Sequence, residues 1–145
     1  MDRVWIEGVL LASCVILSAF FSGSEIALSS LDKLTLRRLI KEKEGKKRRQ
    51  LEFLLTKPSR WLITILIGNN FVNIAAASLA TLLVQEIIEG TAGQVVGIAT
   101  GVMTLVLLVF GEILPKSYCQ QHAQEISIRV ARPIFLLSRV LSPLV

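Results

Sequence analysis

The sequence predicts an all-α integral membrane domain: three transmembrane helices, with basic juxtamembrane helices forming a belt on the cytoplasmic side. Three observations carry this. The 145 residues are 52% hydrophobic, with a mean hydropathy of +0.62. Three runs hold no Asp, Glu, Lys or Arg: Gly8–Ser24 with 17 residues, Trp61–Gln85 with 25 and Gly90–Gly111 with 22. A helix needs roughly 17–25 predominantly apolar residues to span a bilayer. Between the first two runs, Asp32–Arg60 holds 11 of the 16 basic residues and a net charge of +7. The length is that of one domain, residues 1–145, and no internal repeat divides it.

In order, the first span is read over about 4–31, basic juxtamembrane helices over about 32–57, the second span over about 59–88, the third over about 93–118, and an amphipathic juxtamembrane helix over about 124–145. The first run differs from a removable leader: it is long, only Arg3 precedes it, and its small residues stand beside Glu25. In the basic segment Leu34, Leu36, Leu39 and Ile40, then Leu51, Leu54 and Leu55, recur at helical spacing. Gly45 divides them into two short helices. In the last segment Arg129, Arg132 and Arg139 share one face, so that helix lies along the interface better than it crosses. Pro133 and Pro143 bend or end it.

Lys and Arg accumulate on the cytoplasmic side of membranes. This places the N-terminus outside and the C-terminus in the cytoplasm, in a cell (plasma) membrane. The loop between the second and third spans agrees, with Glu86 and Glu89 and no base. Trp5 and Trp61 then fall near opposite interfaces. The basic segment has one aromatic residue, Phe53, and no nucleic-acid reading motif, so the anionic surface of the lipid bilayer is its expected partner. Cys14 and Cys119 are too few and too far apart for a disulfide framework or a thiolate metal site. No nucleophile–base pair and no phosphate-cradling loop stands out, so the chain is not read as an enzyme.

Polar groups inside spans carry the functional reading, because they are costly there and mark ion pathways. On the first helix Ser18, Ser22, Glu25 and Ser29 form one stripe at spacings of 4, 3 and 4, with Gly23 allowing close backbone approach. Single membrane serines usually bond their own helix carbonyls; a stripe ending in a carboxylate points to more. The second helix carries "LIGNNFVNIAAASLA", where Asn69 and Asn73 share a face continued by Ala76 and Ala80, and Asn70 points about 100° away. Such amides can simply join helices, at about 0.6 kcal/mol per pair, a small return for three of them. On the third helix Gly93, Gly97 and Gly101 repeat every four residues, a close-packing pattern within the chain or across a dimer. The stripe Gly97, Gly101, Thr104, Leu108, Glu112 would put Glu112 on the packed side.

In "VFGEILPK" a carboxylate and a helix breaker end the third run. Pro115 cannot donate to the carbonyl four residues back, that of Gly111. A freed carbonyl would then lie beside Glu112, in a place where irregular backbone must line protein or a wet cavity. The competing reading pairs Glu112 with Lys116 at i+4. All the converging donors are oxygens, suited to Mg²⁺, Ca²⁺ or an alkali ion. Ser18, Ser22, Asn69, Asn73, Gly111 and Glu112 could supply the roughly six that a dehydrated Mg²⁺ takes. Ser24, Glu25, Asn70 and Lys116 are candidates for supporting, Na⁺ or gating contacts.

Three words, "FFSGSEIALSSLDKLTLRRL", "WLITILIGNNFVNIAAASLA" and "FGEILPKS", resemble the membrane domain of the CorC and cyclin M (CNNM) magnesium transport proteins. The resemblance covers nearly the whole chain. It implies a homodimer joined through transmembrane helices, and Mg²⁺ bound within each protomer and exported, with Na⁺ moving inward as the coupling ion. By motif it puts the family's metal-binding positions on Ser18, Ser22, Asn69, Asn73, Gly111 and Glu112, and leaves Glu25 a Na⁺ or gating contact. The alternative is a membrane-anchored Mg²⁺ sensor that regulates other transport proteins without flux of its own. Family members usually continue into paired CBS domains that bind nucleotide; nothing of that kind fits before Val145, so no nucleotide is assigned to these residues.

Overall fold

In a bilayer core each backbone amide must find its partner within its own helix, and this sequence folds accordingly. The computed structural model describes residues 2–87 and 90–142, helical nearly throughout, with no strand among them. The helices are α1 (Asp2–Ser30), α2 (Lys33–Glu42), α3 (Gly45–Thr56), α4 (Pro58–Ile87), α5 (Ala92–Val106), α6 (Leu114–Gln121) and α7 (Ala123–Val140). A π turn, Leu107–Ile113, joins α5 to α6 without a break. Three helical stretches are long and apolar enough to span a membrane: Arg3–Ser30, Pro58–Ile87 and Ala92–Gln121. This is an all-α membrane domain.

Local chemistry sets the boundaries. Asp32 caps α2, its carboxylate accepting from the Leu34 amide at 3.3 Å. Gly45 opens α3 at φ +60°, a conformation that other side chains resist, so the basic segment breaks here. Pro58 begins α4, where a missing N–H costs nothing. Gln94 accepts from the Thr91 amide at 3.1 Å and fixes the start of α5. Pro133 sits inside α7 and does not end it; Pro143 lies outside the described residues, as does part of the Glu86–Glu89 loop.

Helix α1 is the axis of the bundle and touches α4, the π turn, α6 and α7. The basic helices gather at one end, where Leu36, Leu39, Leu51, Leu54, Val130 and Ile134 share a buried core. Two hydrogen bonds latch that end to the spans. The Ser127 hydroxyl donates to the Ala27 carbonyl at 3.1 Å, and the Trp61 indole donates to the Leu54 carbonyl at 3.1 Å. Trp61 is buried, with α3 folded back over it. Trp5 does face outward. So do Phe71, Ile74 and Leu105, an arrangement that suits lipid and would be a liability in water.

Within the chain, the third span packs through a face other than its glycine stripe. Val95, Ala99 and Met103 are buried, against Ala76 and Ala80 of α4 in the case of the last two. A Cβ added at Gly93, Gly97 or Gly101 would meet nothing within 4 Å. The glycine stripe is open to the outside, with Thr104 and Leu108.

Candidate cation site

The π turn decides what the third span shows to α1. From Ala99 to Gly111 an unbroken α-helix would turn about 120° away from its starting face, at about 100° per residue. The wide turn holds one extra residue, its last amide, Leu114, donating to the Val109 carbonyl five residues back. That takes back about 100°, so Gly111 comes round to the face of Ala99 and Met103. Pro115 follows directly and lacks the N–H that a regular ladder would need for Gly111. The chain meets this demand with a wider turn.

Gly111 is buried against Ser18: a Cβ there would stand 2.9 Å from Ser18 Oγ and 3.4 Å from its Cβ. Ser18 is fully buried. Its hydroxyl lies 2.8 Å from Asn73 Oδ1 and 3.3 Å from Asn69 Oδ1. A hydroxyl has one proton, so two amide oxygens converge on a donor that can satisfy one of them. One turn along α1, Ser22 is 1% exposed and its Oγ has no hydrogen-bond partner among the described residues. Buried polar atoms rarely go unpartnered. Side-chain oxygens of Ser18, Asn69 and Asn73 thus converge, with Ser22 a turn away, where α1, α4 and the π turn meet, a donor set of the kind a small hard cation takes.

The other predicted residues are not among these hydrogen-bond contacts. Glu112 is partly buried, next to Gly111 in the chain, and has no ion-pair partner among the described residues. Lys116 reaches Glu25 instead, Nζ to Oε2 at 3.6 Å, so the competing Glu112–Lys116 pair gives way to a bridge from α6 to α1. Ser24 is buried but spent on its own helix, donating to the Phe20 carbonyl at 2.6 Å. Asn70 faces outward, as does Ser29, the last member of the serine stripe. Among the described residues no three His, Cys, Asp or Glu side chains gather. Both members of the Glu25–Lys116 pair are 41% exposed, so Lys116→Met should change stability by less than about 1 kcal/mol, measured by thermal unfolding in detergent.

Residues 9–145 match the cyclin M transmembrane N-terminal domain. The chain belongs to that family. A UPF0053 protein of Haemophilus influenzae is 43% identical over 137 residues, which cover 94% of this chain and 32% of that protein. The inner membrane protein YfjD of Escherichia coli is 39% identical over 129 residues, 89% of this chain and 29% of its own. A chloroplastic DUF21 domain-containing protein of Arabidopsis thaliana is 44% identical over 138 residues, 94% of this chain and 20% of its own. The chain thus spans a third or less of the length of these relatives. With three apolar helices it is a multi-pass membrane protein.

One group in this cyclin M domain escaped the sequence reading. Glu7 is buried in α1, and Arg3 holds its Oε1 and the Oε1 of Glu86 on α4, each at 3.3 Å. Glu7 stands one residue before the uncharged run and so passed as its edge. The Arg3–Glu7 spacing of four was the available signal.

Proposed function

We propose that this cyclin M domain carries Mg²⁺ across the membrane, holding the largely dehydrated ion among Ser18, Ser22, Asn69, Asn73, Gly111 and Glu112. The observation that carries the reading is the convergence of oxygens on Ser18: two amide oxygens from α4 meet one hydroxyl, with the unpartnered Ser22 hydroxyl a turn away. An ion would satisfy these oxygens at once, and Glu112 would supply charge from the π turn. Hydroxyl and amide oxygens with one carboxylate are hard ligands. Export coupled to inward Na⁺, a homodimer, and an N-out, C-in orientation in the plasma membrane complete the proposal, following the family resemblance and the cytoplasmic bias of Lys and Arg.

The test is flux and binding together. In liposomes with a Mg²⁺-sensitive dye, the protein should move Mg²⁺, and replacing Na⁺ by K⁺ should stop it. Ion binding with no flux would instead favour a sensor. Losing an outer partner of a metal ligand costs about 10–100-fold in affinity, so Asn73→Ala and Glu112→Gln, which remove direct ligands, should each cost more than about 100-fold. Calorimetry reads this, and size-exclusion chromatography should show the oligomer unchanged. Native affinity in both variants would overturn the assignment.

A further inference from the structure

Away from the cation site, α3 and α7 enclose a groove of about 760 Å³. Lys46, Lys47 and Arg49 line one wall and Arg129, Arg132 and Arg139 the other. Among the described residues none of the six pairs with a carboxylate. The contrast lies next door, where Arg48 turns away from the groove and meets Glu52 at 2.8 Å. Six like charges gathered on one groove repel, and a bound anion would relieve that repulsion. The first turn of α3 adds to the field, for Glu44 makes no capping bond there and the positive end of the helix dipole stays open.

Charge alone would fit any polyanion. The rest of the lining narrows the choice. Ile128, Phe135 and Leu136 form an apolar part of the groove, and Phe135 stands edge-on against Phe53 of α3, centroids 5.3 Å apart, joining the two walls. The groove also sits at membrane level by connectivity. One residue, Lys57, separates α3 from the span that begins at Pro58, and α7 starts just after the span that ends at Gln121. A basic pocket with an apolar side, at the end of spans, has the chemistry of a phospholipid headgroup site.

We propose that the α3–α7 groove binds the phosphate headgroup of an anionic diacyl phospholipid, whose chains leave along Phe135 and Leu136. The lipid acts as a counter-ion that ties the basic helices together, in a defined place and not as a diffuse cloud. The proposal is independent of the Mg²⁺ reading, because no groove residue belongs to the cation site.

The experiment uses the intact chain purified in a neutral detergent and titrated with dioleoyl phosphatidylglycerol, with bound lipid counted by native mass spectrometry. One variant, Arg129→Gln/Arg132→Gln/Arg139→Gln, empties one wall; a second, Lys46→Gln/Lys47→Gln, thins the other. A control, Lys33→Gln/Arg37→Gln/Lys41→Gln, removes three exposed charges from α2, outside the groove. Affinity should fall at least about tenfold in both groove variants and stay within about twofold in the control. Equal losses in all three would overturn the site in favour of general surface charge. Inorganic phosphate and phosphatidylcholine are the other arms. Phosphate alone binding as tightly as the lipid, or phosphatidylcholine binding as well as phosphatidylglycerol, would overturn the lipid assignment. Displacement of the lipid by polyglutamate at lower concentration would overturn it too, marking an acidic peptide as the occupant.

Discussion

Gly111→Ala is expected to abolish Mg²⁺ binding. The added methyl would stand 2.9 Å from Ser18 Oγ, closer than a carbon and an oxygen rest without bonding. Either the π turn backs away from α1 or the hydroxyl swings off its two amides, and both outcomes scatter the donor oxygens. Calorimetry should show an affinity loss above about 100-fold, larger than removal of an outer partner gives. Stability should fall by about 1–3 kcal/mol, the usual cost of forcing an extra carbon into a packed place. Ser18→Ala in the same chain removes the colliding oxygen and should recover much of the stability without restoring the ion. Recovery of both would mean that Ser18 is a spacer and not a ligand.

Gly68→Ala tests the packing beside the site without touching a donor. Its Cβ would fall 2.5 and 2.6 Å from two carbons of the Phe21 ring. Phe21 is itself buried, and a ring cannot fold out of the way as a flexible chain can. The helices α1 and α4 must part, and destabilisation of about 3 kcal/mol, the upper end for overpacking, is expected. Thermal unfolding in detergent reads the loss. Phe21→Leu on the same chain should restore most of it. An unchanged midpoint for Gly68→Ala would show that α1 and α4 are not held at this spacing.

The sequence alone was enough for elements whose cause is local. Uncharged runs of sufficient length can only be spans, Gly45 breaks the basic segment through its own φ, and the spacing of Asn69 and Asn73 puts both amides on one side of α4. What escaped depends on choices made between helices. Pro115 announces a fault in the ladder, but a freed carbonyl and a wider turn answer it equally well until α1 is in place. The same turn brought Gly111 inward and left Gly97 and Gly101 facing out. Lys116 had a carboxylate four residues before it and took one from α1 instead. The convergence of Ser18 with Asn69 and Asn73 was expected from two separate stripes; that both amide oxygens would meet a single hydroxyl could not be read from either of them.

Three glycine contacts surround α1 within two turns. Gly111 comes against Ser18, Gly68 against Phe21, and Gly23 of α1 itself against Cys119. Beyond this collar the N-terminal half of α1 borders an apolar hollow of about 660 Å³ lined by Gly8, Leu11 and Val15. At its far end α1 is held again, by Arg3 against Glu86 of α4, so the hollow lies along a stretch pinned at both ends, about 22 Å long at 1.5 Å per residue.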